Sequence, residues 1–219
     1  MELKAVIFDL DGVIVSTDEC HFEAWLQMAN EEGIYFDKEI NQRLRGVSRM
    51  ESLEIILEKA VKSYSTEEKT ELATRKNRYY QELIKKLTPN DILPGVKDFL
   101  AGLKEQNIKI AIGSSSKNSP LILEQIGLGD YFDATADGNN IKKSKPDPEV
   151  FLLAAERLGV PPGNCFVVED ADAGVEAALA GRMRVLGVGS AAQNKFATLQ
   201  AADLSTISAA QFLTYCTKL

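Results

Sequence analysis

The chain has 219 residues, 45% of them hydrophobic, enough to bury a sizeable core and slightly long for one average domain. Its formal net charge is −7 and no basic block stands out, so nucleic acid is not an expected partner. No stretch reaches the roughly eighteen apolar residues of a membrane span, and the N-terminal apolar run is too short and too acidic for a signal peptide. The three cysteines, Cys20, Cys165 and Cys216, are far apart and lack metal-ligand spacing. They read as reduced thiols of a cytoplasmic protein.

In chain order, "KAVIFDLDGVIVST" comes first. Its apolar run, Ala5 to Phe8, stops at Asp9, and Asp11 and Gly12 follow. Residues 16–92 then change texture. "ECHFEAWLQMANEEG", "KEINQRLRG", "SRMESLEIILEKAVK" and "STEEKTELATRKNRYYQELIKKL" all read as charged amphipathic helices. "TPNDILPG" is the return linker. Beyond it, helical patterns alternate with short apolar runs: "VKDFLAGLKEQN", the strand "IKIAIGSS", "SPLILEQIGLG", "DPEVFLLAAERLGV", the strand "CFVVED", "AGVEAALAG" and the strand "RVLGVG". Ser119-Pro120 and Asp147-Pro148 look like helix starts, and Gly127 and Gly159 like helix stops. Strands that are apolar throughout are buried on both faces, which predicts an α/β fold: a Rossmann-like open parallel sheet with right-handed crossovers. The expected core is discontinuous, residues 1–15 and 93–219, with an inserted all-helical cap at 16–92.

Ligands of such sheets bind at the carboxyl ends of the strands. The first strand delivers Asp9 and Asp11 there. The second delivers Ser114, Ser115, Ser116, Lys117 and Asn118, and "CFVVED" delivers Glu169 and Asp170, with Asp172 nearby. The loop "KKSKPDPE" adds Lys142, Lys143 and Lys145. Two like charges about 4 Å apart repel by roughly 4 kcal/mol at an effective dielectric near 20, so this crowd of carboxylates calls for a divalent cation. Oxygen ligands without a Cys/His cluster point to Mg²⁺. A carboxylate beside Mg²⁺ and a lysine can attack phosphorus, and a second carboxylate two residues on can move the proton of the leaving or attacking oxygen. Asp9 is therefore the candidate nucleophile and Asp11 the candidate general acid/base.

"FDLDGV", "IGSSSKN", "KKSKPDPEVF" and "VVEDADAG", in that order, resemble the four motifs of the haloacid dehalogenase superfamily. The helical stretch after the first motif occupies the position of that family's cap. "HFEAW", "GVSRMESL" and "RKN" further resemble its phosphosugar mutases. The resemblance implies that Asp9, the Asp11 carbonyl, Glu169 and Asp170 arrange Mg²⁺. Ser114, Lys145 and Asn118 would hold a phosphate, and Arg49 the distal one. Trp25, Ser48, Ser52, Lys76 and Lys117 would border the sugar, with Gly46, Val47, Ser115 and Ser116 among the substrate contacts. His21 would sit at a hinge and couple closure to Asp11. Ser16 stands where many relatives have an acid, just before the expected hinge residue Thr17. The implied reaction turns β-D-glucose 1-phosphate into glucose 6-phosphate through an aspartyl phosphate and a glucose 1,6-bisphosphate, in a monomer.

Plainer readings stand beside these. Ser48 and Glu51 fit a capping box. His21 and Trp25, four residues apart, fit a buried helix face. Lys76 lies in a charge-rich helix. "GVGS" at 187–190 lacks the spacing of a dinucleotide fingerprint. A sugar-phosphate phosphatase with the same core chemistry, a mutase for another sugar and a non-catalytic sugar-phosphate binder remain the competing functions.

Overall fold

The computed structural model describes residues 2–44 and 47–217. In chain order the elements are β1 (Ala5–Phe8), α1 (Asp18–Glu32), α2 (Lys38–Gln42), α3 (Arg49–Leu57), α4 (Thr66–Ile84), α5 (Val96–Glu105), β2 (Lys109–Gly113), α6 (Ser119–Gln125), β3 (Ala134–Ala136), α7 (Glu149–Leu158), β4 (Cys165–Glu169), α8 (Asp172–Ala180), β5 (Arg184–Gly187), β6 (Leu199–Gln200) and α9 (Ala209–Cys216). They fall into two compact units, which divide between Ser16 and Thr17 and between Leu87 and Thr88.

The first unit holds one six-stranded sheet in the order β3-β2-β1-β4-β5-β6, with every pairing parallel. Alternation along β1 decides what lies on each face. Ala5 and Ile7 join a core cluster with Val150, Phe151 and Ala154 of α7 and Val175 and Ala178 of α8. Phe8 turns the other way and meets Phe99 of α5 edge-on at 6.2 Å, and Phe99 packs on Phe212 of α9 at 5.4 Å. Both faces of the central strands are thus covered, which is why they read as unbroken apolar runs. Strands β3 and β6 escape a sequence reading because they are three and two residues long and partly exposed.

Two details differ from expectation. The linker residues 88–92 belong to the sheet unit, because Val15 bridges to Ile92 and the Leu93 N–H donates to the Ile14 carbonyl at 2.9 Å. Ser119 is the first residue of α6 rather than its cap, and its hydroxyl donates instead to the Ser116 carbonyl at 2.8 Å.

The second unit is helical and has its own core, in which Trp25, Met28 and Ala29 of α1 pack with Leu53 and Ile56 of α3 and Leu72 and Ala73 of α4. Capping boxes Ser48/Glu51 and Ser65/Glu68 start α3 and α4 by satisfying N–H groups the first turn leaves open. Among the described residues no helix is long and apolar enough to cross a membrane.

Candidate active site

In the sheet unit, β1 and β4 are neighbours with Phe8 opposite Val168, so the next residues, Asp9 and Glu169, emerge at the same level. The Asp9 N–H still donates to the Val168 carbonyl at 3.0 Å, which anchors Asp9 to the sheet. Asp9 is 7% and Glu169 1% exposed, so both carboxylates sit where water screens them little. Ligand oxygens of Asp9, Glu169 and Asp170 lie within 4.8 Å of one another.

Among the described residues one cation meets this group. The Lys145 ammonium donates to Asp9 Oδ1 at 2.5 Å and to Glu169 Oε2 at 2.7 Å, and lies 4.5 Å over the Phe151 ring. Burial alone would depress its pKa, but the charges of Asp9 and Glu169 more than offset that and hold it above its ordinary value. The acids respond the other way. Burial raises Glu169, with the Asp9 charge adding to it and Lys145 opposing. Burial pushes Asp170 up to about 8, helped by the charges of Asp9, Glu169 and Asp11. A single lysine does not neutralise the cluster.

The residues present fit a bound divalent ion. The donors are oxygens throughout, and glycines keep their space open. A Cβ at Gly174 would run into the Glu169 carboxylate, and one at Gly12, whose φ is +81°, into that of Asp170. The "GVGS" segment and the residue after it hold the backbone of the acid pair. Val188 N–H donates to the Glu169 carbonyl, and the Ala191 N–H and Ser190 hydroxyl both donate to that of Asp170, at 2.9 Å and 2.5 Å. Sequence reasoning noticed this motif but found no use for it. Its use is to grip main-chain carbonyls, through the Val188 N–H and the Ser190 hydroxyl, a role that no spacing rule announces.

The other expected residues of this unit take distinct places. Asp11 lies in the tight turn after β1, bridged to Val15. Ser114 directly follows β2, is 3% exposed and accepts the Ser116 N–H at 3.2 Å. Ser116 in turn accepts the Asn118 N–H at 3.2 Å, and Asn118 is buried at the start of α6. The Ser115 hydroxyl faces the Lys145 N–H at 3.5 Å. Lys117 is exposed, and its carbonyl accepts from the Asn139 side chain. Lys142 and Lys143 instead present their backbone N–H groups to the Glu149 carboxylate, so Lys145 is the lysine of its loop that reaches the acids. Asp172 is occupied at the start of α8 by the Asn194 side chain at 2.7 Å.

In the helical unit, α1 and α4 run antiparallel. Lys76 is 2% exposed, and its ammonium lies 2.8 Å from His21 Nδ1 and over the rings of Trp25 and Tyr80, at 4.8 Å and 4.7 Å. His21 stacks on Tyr80 at 4.1 Å, and the Tyr80 hydroxyl bonds to Thr17 Oγ1 at 2.9 Å. Burial, then the charges of Lys76 and Arg49, hold His21 well below its ordinary pKa, so its Nδ1 is the acceptor of the Lys76 proton. Burial also depresses Arg49, for which no carboxylate partner occurs among the described residues. Ser52 is buried one turn along α3, and Val47 is exposed. The Ser48 hydroxyl accepts the Glu51 N–H at 3.3 Å, so the capping reading accounts for it. Gly46 lies outside the described residues.

The model of the haloacid dehalogenase-like hydrolases matches residues 3–182. The chain belongs to that family. Within it, the chain is 51% identical over 189 residues to the beta-phosphoglucomutase of Bacillus subtilis, with 85% of this chain and 84% of that one covered. It is 34% identical over 215 residues to a phosphorylated carbohydrates phosphatase of Thermotoga maritima, covering 96% and 97%. The solved beta-phosphoglucomutase of Clostridium difficile superposes with a TM-score of 0.90 at 42% identity, over 99% of this chain and 98% of that one. An acid cluster able to hold a metal ion and a phosphoryl-transfer role accord with membership in this haloacid dehalogenase-like family.

Proposed function

We propose that this family member is a Mg²⁺-dependent β-phosphoglucomutase, an isomerase that converts β-D-glucose 1-phosphate to glucose 6-phosphate. The observation that carries it is the 51% identity to a mutase, against 34% to a sugar-phosphate phosphatase. A substrate phosphorylated at either end needs cations for two phosphates. Lys145 serves one, and Arg49 the other.

A carboxylate oxygen of Asp9 attacks phosphorus. The new O–P bond forms as the bond to the sugar oxygen breaks, and Asp11 gives that oxygen a proton. In the reverse sense Asp11 takes the proton of a sugar hydroxyl as it attacks the aspartyl phosphate. Lys145, already bonded to Asp9, offsets the charge brought by the phosphoryl group. Ser114 and Asn118 bind its remaining oxygens, while Ser115, Ser116 and Lys117 line the approach. Trp25, Ser52 and Lys76 border the sugar, and His21 fixes the Lys76 ammonium. Asp9, Glu169, Asp170 and the Asp11 carbonyl would hold Mg²⁺, which would supply the positive charge that lets two anions approach. A monomer in the cytoplasm completes the proposal; the three cysteines carry no disulfide, which fits a reducing compartment.

The test supplies Mg²⁺, β-D-glucose 1-phosphate and a trace of the 1,6-bisphosphate, and follows glucose 6-phosphate and inorganic phosphate together. Glucose 6-phosphate with little phosphate is the expected outcome. Phosphate release matching substrate loss would make the protein a phosphatase. Asp9→Ala should form no phosphoenzyme and lose activity by at least about 10⁴-fold.

A further inference from the structure

Helix α1 ends in a way its own chemistry disfavours. Its last turn carries Glu31 and Glu32 and no basic residue, although the C-terminal end of a helix is the negative end of its dipole. What offsets them comes from α4. Arg75 Nη1 donates to Glu31 Oε2 at 3.0 Å, and Nη2 to Glu32 Oε1 at 2.5 Å and to Glu71 Oε2 at 3.2 Å. The Tyr79 hydroxyl lies 2.8 Å and 2.9 Å from the two Glu31 oxygens. The fork of one guanidinium thus joins two helices, which a lysine's single ammonium does not match. The arrangement is kept even though the buried Arg75 Nε–H has no partner among the described residues.

Arg75 directly precedes Lys76, and the two side chains leave α4 toward different parts of α1. Arg75 engages its last turn, whereas Lys76 lies against Trp25 and His21, about two and three turns toward its start. Sliding or rotating α4 on α1 moves both together. From the other side, Lys69 ties α4 to Glu54 of α3 at 2.8 Å.

We propose that Arg75 is a positioning residue. Its clamp on Glu31 and Glu32 fixes the register of α4 on α1 and so sets where the Lys76 ammonium stands. The effect on catalysis rests on the reading of Lys76 as a sugar-phosphate contact; the positioning itself does not.

The chain has one tryptophan and one histidine, and both touch Lys76. Trp25 fluorescence and the His21 Cε1–H resonance therefore report its position without assignment. In Arg75→Met both signals should move in the folded protein. KM for β-D-glucose 1-phosphate should rise about tenfold or more. Phosphorylation of Asp9 by acetyl phosphate, which releases acetate and offers no sugar to Lys76, should proceed at the wild-type rate. Glu32→Gln, which removes the charge but not the acceptor of one arm of the clamp, should shift the same signals less and serves if Arg75→Met does not fold. Unmoved Trp25 and His21 signals in a folded variant would overturn the proposal, as would a loss of acetyl phosphate reactivity as large as the loss with the sugar. Lys76→Met separates the two ideas. If it leaves KM unchanged while the Arg75→Met probes move, positioning stands and the sugar-contact reading fails.

Discussion

In the sheet unit Asp9, Glu169 and Asp170 crowd around Lys145; in the helical unit Glu31, Glu32 and Glu71 gather around Arg75. The ingredients are alike and the electrostatics opposite. Burial raises Glu169 and Asp170 above the usual carboxylate range. The Tyr79 hydroxyl lowers Glu31, and the Arg75 guanidinium lowers Glu32. The helical acids keep some water and receive hydrogen-bond donors in number, so their charge is satisfied. The sheet acids have lost water and share one ammonium, so they retain an appetite for positive charge. A structural acid cluster is one its neighbours have neutralised, and a functional one is not.

The sharpest way to break that comparison is to remove Lys145. In Lys145→Met two buried carboxylates lose their shared partner, which should destabilise the fold by about 3–5 kcal/mol. Formation of glucose 6-phosphate should fall by about 10³-fold or more, since the positive charge beside the nucleophile goes with it. Arg43→Met, which cuts the exposed fork between Arg43 and Glu58 at 2.8 Å and 2.7 Å, should leave both nearly unchanged. Urea unfolding and the mutase assay read the difference. Equal effects of the two variants would end the distinction drawn between satisfied and unsatisfied clusters.

A smaller substitution tests whether the unsatisfied charge is kept for a metal ion. Alanine in place of glycine inside a helix ordinarily stabilises by up to about 1 kcal/mol. At Gly174 in α8 the new Cβ meets the Glu169 carboxylate, the far end of a flexible side chain, which can move aside. The fold should therefore tolerate Gly174→Ala while Glu169 is displaced. The Mg²⁺ concentration needed for activity, and for thermal stabilisation, should rise about 10- to 100-fold. A stabilised variant with the wild-type Mg²⁺ requirement would take Glu169 out of the metal site.

These residues also show what was legible beforehand. Asp9, Asp11, Glu169 and Asp170 announce themselves because a carboxylate ending an apolar strand has no packing reason to be there. From the loop's composition Lys145 was one of three lysines, and only the motif resemblance singled it out; in the structure Glu149 captures the backbone of the other two. The burial of Lys76 was hidden. Its surroundings "TRKNRYY" look like a solvated face, and only the fold sets Trp25, His21 and Tyr80 around it. Gly174 and "GVGS" were invisible as site elements because they act by leaving space and by holding the main-chain carbonyls of Glu169 and Asp170. The edge strands β3 and β6 were too short to leave a pattern.

The smallest expected effect separates the two units by the sign of a pH dependence. Buried His21, lowered first by burial and then by Lys76 and Arg49, stays neutral in the folded protein, while the unfolded chain protonates it below its ordinary value of about 6.5. The unfolded state then binds more protons, so His21 makes the protein less stable as pH falls below about 6.5, by up to about 1.4 kcal/mol per pH unit until the folded pKa is reached. Glu169 and Asp170, raised in the fold, act oppositely in the absence of a divalent ion. They take up protons in the folded state first, so acidification from mildly alkaline pH toward their unfolded values adds stability. The two slopes partly cancel in the wild type. His21→Gln, whose side-chain oxygen still accepts from Lys76, removes the first and leaves the second. Urea unfolding of both proteins without Mg²⁺, between neutral pH and about pH 5, should show the variant gaining on the wild type as pH falls. A constant difference between them would mean that His21 takes up its proton inside the fold. Nδ1 would then no longer be the acceptor that holds the Lys76 ammonium in place.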